Sequence, residues 1–301
     1  MNYIINIFMI FCFLIITLFE LRADYSEKDE IIWLGFDLPP AWIVAGEYAN
    51  NGIVDIQTEI FKKNLPEYKH TVKSVPWSRF QNMIESKERI YACASYINID
   101  TKNPNLFYSI PHHFTTPKTI IFDIKKKDEF GRKTVLNFEE LIQNKSFKFG
   151  YDEGRPYTAK LDKIIPKYKE QSNIIKFYSS QADTITMMLM GRIDYIVEFS
   201  DIFTYKLGLK KISSHNFYSF IIEEEGPMGL LGNIVAVKTG KGKEFIKKAN
   251  AMIKKIRGTE EFLNTYLGSK WTPKEMIPIR RMGLNDLLSG KYDHKASKLD
   301  N

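Results

Sequence analysis

The chain has 301 residues, of which 44% are apolar and 26% are charged, and its formal net charge is +7. This composition is ordinary for a globular protein and excludes an intrinsically disordered chain. The length allows two modest lobes or one large domain. The lysines occur in short scattered runs without a basic stripe and interleaved stacking aromatics, so we expect no nucleic-acid partner.

The N-terminus predicts export. Residues 3–19 are apolar except for Asn6 and Thr17, and a polar segment follows directly. This pattern fits the apolar region of a secretory signal that is cleaved after Ala23, which would place the mature protein in the periplasm. An uncleaved membrane anchor stays open as the alternative, because no Lys or Arg precedes the apolar run and Leu21 is not small.

Strand and helix patterns alternate along the chain, which indicates the α/β class with largely parallel sheets. A strand over 31–36, a helix over 52–65 and a strand over 70–75 come first. A helix, a charged turn and a strand follow over 76–97, and the same order recurs over 181–199. Two such units about a hundred residues apart favour two lobes of related design.

The second of these units predicts a helix, a glycine turn and a strand. The Met- and Leu-rich stretch 181–190 is typical of a helix, and Gly191 can end it because glycine adopts a left-handed cap without steric cost. The stretch 193–199 is β-branched, aromatic and almost continuously apolar, as expected of a strand that is buried on both faces.

The remaining elements follow from the same patterns. The chain is expected to cross between lobes in extended segments near 112–120 and 217–230, and the polar tail after Gly290 is expected to fray. Further predicted helices cover 137–143, 157–168, 200–206, 242–258 and 260–268, and further extended stretches cover 105–124, 147–151, 174–178, 217–222 and 230–238.

No motif predicts catalysis or a metal centre. The sequence contains no nucleophile elbow, zinc-protease motif or complete P-loop. His112 and His113 are adjacent, and on a strand they would point to opposite faces, which suits a single metal poorly. Cys93 would be the only cysteine of the mature chain, and we expect it to be a small buried side chain. We therefore expect no enzymatic activity, no metal and no cofactor.

Side chains at the ends of strands are the candidate ligand contacts. Trp42 follows two prolines just past the first strand, where open α/β sheets bind ligands. Gly154 and Arg155 lie between a strand and a helix, where they can bind an anion or simply form a solvated turn. Glu198 needs a partner if it is buried, and a ligand cation and a structural ion pair both stay open.

The strand before PPAW is followed along the chain by GIVDIQTEIFKKNLP, VPWSRFQNMIE, FYSIPHHF, FKFGYDEGRPY and MGRIDYIVEFSD. In this order, these segments resemble the family-3 branch of the type II periplasmic solute-binding proteins, whose best-known members bind polar amino acids. The resemblance spans roughly 30–270.

The resemblance implies a two-lobed periplasmic-binding-protein type II fold of the α/β class, with mixed, largely parallel sheets and a hinge of two crossover segments. Lobe 1 is expected to comprise 24–114 and 223–290, and lobe 2 to comprise 115–222, between the signal 1–23 and the polar tail 291–301. The implied partners of this monomer are a small-molecule solute and an ABC-type permease or a sensor.

The resemblance also implies a ligand site between the lobes. Its expected contacts are Trp42, Ser95, Tyr96, Lys102, Gly154, Arg155 and Glu198.

Two positions depart from the family pattern. The arginine that clamps a ligand carboxylate is replaced by Lys102, which lacks the bidentate fork. The aspartate that binds the ligand ammonium aligns with Phe199, while Glu198 lies one position earlier and would point to the opposite face. An amino acid and another polar or aromatic solute both stay open as ligands.

The sequence thus predicts an extracytoplasmic protein that closes two lobes on a small polar solute for ABC-type uptake or for sensing. Two alternatives stay open. One is a membrane-anchored sensory or scaffold protein, which would retain residues 3–19. The other is a secreted, cell-wall-associated enzyme on the same fold.

The expected processing can be measured directly. We expect protein from the extracytoplasmic fraction to begin at or near Asp24, because a polar segment follows the apolar run at once. Intact-mass spectrometry tests this, and a mass that includes residues 1–23 would contradict it.

Overall fold

The computed structural model describes residues 28–97, 102–153, 157–178 and 183–299. The predicted signal at 1–23 lies outside the described residues. Within them, every helix is too short or too polar to cross a membrane.

Strands and helices alternate through the described residues. The strands are β1 (Glu30–Gly35), β2 (Lys69–Ser74), β3 (Ile90–Ile97), β4 (Leu106–Phe114), β5 (Lys118–Asp123), β6 (Val135–Leu136), β7 (Phe149–Asp152), β8 (Ile174–Phe177), β9 (Tyr195–Phe199), β10 (Phe217–Ile222) and β11 (Leu231–Val237). The α-helices are α1 (Ile53–Asn64), α2 (Trp77–Ile84), α3 (Phe138–Gln143), α4 (Leu161–Tyr168), α5 (Thr184–Leu189), α6 (Ser200–Leu209), α7 (Gly240–Ile256), α8 (Glu260–Leu267) and α9 (Ile277–Leu288).

The strands form two mixed sheets, and each sheet is the centre of one lobe. The first sheet has the order β2-β1-β3-β11-β4, and the second has the order β6-β10-β5-β9-β7-β8. Strands β1, β2 and β3 are parallel, as are β7, β8 and β9, whereas β11 runs antiparallel to β3 and β4, and β5 runs antiparallel to β9 and β10. The expected α/β class with two mixed sheets is confirmed.

Two crossover segments connect the lobes, one between β4 and β5 and one between β10 and β11. They run side by side, because the Thr115 N–H donates to the Leu230 carbonyl at 2.9 Å and the Leu230 N–H donates to Thr115 Oγ1 at 3.0 Å. The predicted hinge of two crossover segments is therefore present, and its two halves are held together.

The continuous apolar runs are strands that are covered on both faces. In β1, Ile31 and Trp33 pack into one core while Ile32 and Leu34 pack into another on the opposite face of the sheet. Strand β9 does the same in the second sheet. Alternate side chains point to opposite faces, so a strand buried on both sides needs apolar residues at consecutive positions.

The turn at Gly191 agrees with its prediction. Helix α5 starts at the Asp183 cap, whose side chain accepts from the Thr186 N–H, and it ends before Gly191. Gly191 has φ of +65°, a conformation that costs a side-chain-bearing residue free energy. Strand β9 follows directly.

The C-terminal region differs from expectation in two ways. Helix α9 has no counterpart among the predicted elements, although Pro278 in its first turn is typical of a helix start. The tail packs on β4 rather than fraying, since the backbone N–H of Tyr108 donates to Ser297 Oγ and the Ser297 N–H donates to the Tyr108 carbonyl.

His112 is a buried core residue. Its Nε2 lies 2.7 Å from the Ala94 carbonyl, and its ring packs edge-on against Phe61 at 4.9 Å between centroids. Burial lowers the pKa of His112 to about 4, because the charged form cannot be solvated there. Burial also holds the pKa of His113 well below its ordinary value.

These two histidines predict a pH-dependent stability. Between about pH 6.5 and pH 4 the unfolded chain binds protons that the folded chain does not, so the free energy of unfolding falls as the pH falls through this window. For His112 the loss is about 3 kcal/mol. Urea denaturation at a series of pH values measures it.

His112→Gln is the matched variant, because it keeps a donor for the Ala94 carbonyl and removes the titrating group. Its stability should depend less steeply on pH, with the contribution of His113 remaining. Parallel pH profiles for both proteins would contradict this role of His112.

Candidate ligand-binding site between the two lobes

A cavity of about 190 Å³ lies between the lobes, and both lobes contribute to its lining. The loop after β1 and the ends of β3 and β4 line it from the first lobe, and the end of β9 and the start of α6 line it from the second. Most of the lining is apolar. Its large apolar side chains include Phe36, Leu38, Trp42, Ile53, Phe199 and Ile202.

The position of Trp42 is fixed by its own loop. Leu38 and Trp42 exchange backbone hydrogen bonds of 2.9 and 3.0 Å across the two intervening prolines. Asp55 Oδ2 accepts from the N–H groups of Gly52 and Ile43, both at 2.9 Å, which ties the loop to the first turn of α1. The indole then lies directly on Gly35, where a Cβ would come within 2.3 Å of it.

Ser95 and His113 lie side by side on the first lobe's wall of the cavity. A Cβ at Gly232 would come within 2.4 Å of Ser95 Oγ and within 2.9 Å of His113 Cβ, so both side chains pack on this glycine. Gly232 of β11 pairs with Ile97 of β3 and His113 of β4, which brings the two neighbouring strands into register there. Sheet pairing therefore places these two polar side chains together.

An ion pair between the lobes completes the polar wall. Arg280 of α9 donates from Nη2 to Asp201 Oδ2 at the start of α6, and from Nη1 to the Tyr266 carbonyl at 3.0 Å. The two side chains are only 6% and 16% exposed. Burial raises the pKa of Asp201, and the Arg280 guanidinium opposes that rise. The pair joins two helices that belong to different lobes.

Three buried polar atoms on this wall have no hydrogen-bond partner among the described residues. They are Ser95 Oγ, His113 Nδ1 and Arg280 Nε. The Asp201 carboxylate also accepts hydrogen bonds from the Thr116 and Thr272 side chains. Folded proteins rarely leave such atoms unpaired, because each one costs desolvation free energy. Their concentration on the wall of one cavity marks the position where a bound molecule would gain hydrogen bonds.

An aromatic cluster bridges the lobes beside the cavity. The Trp271 ring lies edge-on to Tyr48 of the first lobe and to Tyr205 of α6, with centroids 4.9 Å apart in both cases. Lys270 Nζ stands 3.7 Å from the centre of the Tyr48 ring. Through Tyr48, this cluster positions the loop that follows Trp42 against the second lobe.

Two of the predicted contacts line the cavity and three, Tyr96, Lys102 and Glu198, lie elsewhere. Trp42 and Ser95 belong to the lining. Tyr96 instead packs in the first lobe, with Phe80 at 6.3 Å and Tyr108 at 6.1 Å between ring centroids. Lys102 contacts the C-terminal tail, where its Nζ donates to the Lys295 carbonyl.

Glu198 lies in a different part of the second lobe, and Phe199 lines the interlobe cavity. Glu198 is 5% exposed, and its Oε1 accepts from the Phe199 N–H at 2.9 Å. Lys206 Nζ is 3.7 Å from Oε2. Glu198 lines a second cavity, of about 380 Å³, together with Asp152 and Lys210. Gly154 and Arg155 lie outside the described residues.

His113, Asp201 and Arg280 were not among the predicted contacts. His113 was considered only as a metal ligand, and Asp201 stands two positions after Phe199, where the family pattern places the ammonium-binding aspartate. Arg280 lies on α9, for which Pro278 was the available signal.

The described residues contain no group of three or more His, Cys, Asp or Glu side chains that could hold a metal ion. Burial raises the pKa of the Cys93 thiol to about 12, so the thiol is not activated as a nucleophile.

Solved structures of substrate-binding proteins share this architecture. The second substrate-binding domain of GlnP from Lactococcus lactis, in an open conformation, matches with a TM-score of 0.54 and 16% identity, over 80% of this chain and 94% of that domain. An ABC uptake transporter substrate-binding protein from Streptococcus pneumoniae, with bound histidine, matches with a TM-score of 0.53 and 14% identity, over 84% of this chain and 98% of that one.

The chain has the two-lobed fold of these substrate-binding proteins. Identities of 14–16% establish the fold alone. No protein-family model matches the sequence, and no curated protein matches it either.

The interlobe ion pair predicts a large effect of Arg280→Met on stability. The substitution leaves Asp201 buried without its counter-charge, so we expect the free energy of unfolding to fall by about 3–5 kcal/mol. Urea denaturation followed by circular dichroism measures the change.

Lys241→Met is the matched control. Lys241 pairs with Asp29 at 2.6 Å, but the two side chains are 68% and 47% exposed. Its loss should cost about 1 kcal/mol or less. Similar losses from both variants would show that burial does not set the strength of the interlobe pair.

Proposed function

We propose that the protein is an extracytoplasmic solute-binding protein that closes its two lobes on a small solute, for uptake through an ABC-type permease or for sensing. The observation that carries this proposal is the interlobe cavity. Its walls come from both sheets, and unpaired polar atoms of Ser95, His113 and Arg280 lie together on its polar wall.

The hinge supports closure as the working motion. In the part of the chain that the structure describes, two backbone segments cross between the lobes, and they are bonded to each other at Thr115 and Leu230. A change in backbone angles there would move one lobe as a unit relative to the other. A solute that touches both walls binds the closed state better than the open state, and this difference shifts the equilibrium toward closure.

We assign the solute contacts to both lobes. Trp42 and Phe199 would pack on its apolar surface from opposite sides, while Ser95, His113 and Arg280 would hydrogen-bond its polar group. Glu198 lines the other cavity and does not enter this assignment. Ligand binding by Gly154 and Arg155 remains a prediction from the sequence.

Binding without chemical turnover fits the groups on the cavity wall. Cys93 is a buried thiol whose pKa is raised, and His113 is kept neutral by burial. The solved structures that share the fold are those of substrate-binding proteins. Export, as expected from residues 3–19, would place the protein where such a receptor meets its solute.

A solute screen and a scattering experiment test the proposal together. Residues 24–301 are screened by thermal shift against amino acids, sugars, short peptides and cell-wall fragments, and we expect at least one solute to raise the melting temperature. Small-angle scattering with that solute should give a smaller radius of gyration. No stabilising solute, or binding without compaction, would contradict the proposal.

Phe199→Ala should weaken binding of that solute by roughly tenfold to a hundredfold, because it removes apolar area that the solute would cover. Isothermal titration calorimetry measures the affinity. Met190→Ala is the control, since Met190 is a 63% exposed apolar side chain of the same lobe outside the cavity lining. Equal effects of the two variants would place the solute elsewhere.

A further inference from the structure

We propose that the solute is electrically neutral and mainly apolar, with one group that both donates and accepts hydrogen bonds, such as a carboxamide or a hydroxyl. The inference rests on the proposed function, because it concerns the solute of the interlobe cavity. A neutral solute distinguishes this site from a site that binds a charged or zwitterionic molecule.

The cavity sets the size and the surface of the solute. Its volume is about 190 Å³, which is close to that of an engineered apolar cavity of about 150 Å³ that binds benzene. Phe36, Leu38 and Trp42 line it from one lobe, and Phe199 and Ile202 line it from the other. A solute with a single ring or an equivalent apolar body fits this space.

The charges on the wall already neutralise each other. Arg280 and Asp201 are hydrogen-bonded as an ion pair, and burial keeps His113 uncharged. Ser95 carries no charge. Among the described residues that line the cavity, this pair contains the only formal charges, and its sum is zero.

A charged group on the solute would therefore meet no free opposite charge among the described residues that line the cavity. Transfer of an ion from water to a buried site is unfavourable unless an opposite charge compensates for the lost hydration. A carboxylate would have to share Arg280 with Asp201, and an ammonium would have to share Asp201 with Arg280. Either arrangement would weaken the ion pair between Arg280 and Asp201, which is itself largely buried.

A neutral group on the solute can hydrogen-bond to the same polar atoms at a lower desolvation cost. Arg280 Nε can only donate and Asp201 Oδ1 can only accept, while the Ser95 hydroxyl can do either. The carbonyl of a carboxamide can accept from Arg280 Nε, and its N–H can donate to Asp201 Oδ1. A hydroxyl can accept one hydrogen bond and donate one. Such a group leaves the ion pair intact.

A series of probes with one ring and one variable group tests the inference on the purified wild-type protein. The probes are 3-phenylpropanamide, 3-phenylpropan-1-ol, 3-phenylpropanoate, 3-phenylpropylamine and phenylalanine. Calorimetric titration at pH 7 should show the amide or the alcohol binding at least tenfold more tightly than each charged analogue.

The other outcomes overturn the inference in different ways. Tightest binding of phenylalanine, the carboxylate or the amine shows a site for charged solutes and leaves the proposed function standing. Binding of none of the five probes rejects a neutral single-ring solute, and the proposed function is then judged by the separate screen and the scattering experiment.

Asp201→Asn tests the charge argument itself. It leaves the Arg280 charge unpaired with little change of shape, so the affinity for 3-phenylpropanoate relative to the amide should rise tenfold or more. Asp183→Asn is the control, because it removes the same charge from an exposed pair with Lys210 in the same lobe. An unchanged ratio in Asp201→Asn would overturn the inference, and if this variant does not fold, the wild-type series decides.

Discussion

The hydrogen-bonded pair of crossover segments is the constraint on which the rest of the molecule depends. Thr115 and Leu230 hold the two chain crossings together, so strands that leave one lobe and strands that return to it lie next to each other. This adjacency explains why both sheets are mixed. The returning strand β11 enters between β3 and β4 and runs antiparallel to both. The same crossing brings β4 and β9 to the cavity from different lobes.

The polar wall of the cavity costs desolvation free energy, and it also supplies fixed hydrogen-bonding groups. Arg280 and Asp201 are largely withdrawn from water, and a buried ion pair of this kind contributes little net stability compared with apolar packing. What it provides is a fixed arrangement of donors and acceptors between two lobes. The unpaired atoms beside it on Ser95 and His113 carry a similar cost. A bound solute would recover part of that free energy, which links the stability of the closed state to ligand occupancy.

His112 and His113 are neighbours on β4 with different surroundings. On a regular strand they would point to opposite faces, which predicts that they do not share a metal. In the structure His112 packs on Phe61 in the first lobe's core, while His113 lines the interlobe cavity. The pairing of β4 with β11 skips one residue at His112, and the two imidazole rings lie only 6.4 Å apart. The bulge, and not regular strand alternation, therefore brings His113 to the cavity beside a core histidine.

The sequence by itself determined many of the local elements and the α/β class. Continuous apolar runs predicted strands covered on both faces, and Gly191 predicted the turn between α5 and β9, because both depend only on neighbouring residues. Trp42, which the sequence places just past the first strand, and Ser95, which the family resemblance implies as a contact, both line the interlobe cavity.

The tertiary structure alone decided which polar groups meet. Asp201 and Arg280 are 79 positions apart, and their contact depends on how α9 packs against the first sheet. That helix was missed because Gly283 interrupts its pattern. In the fold this glycine makes room for the Phe114 ring, which would lie within 2.4 Å of a Cβ there. Tyr96 and Lys102 lie away from the cavity for a related reason. Strand register and tail packing, which no local pattern specifies, direct their side chains elsewhere.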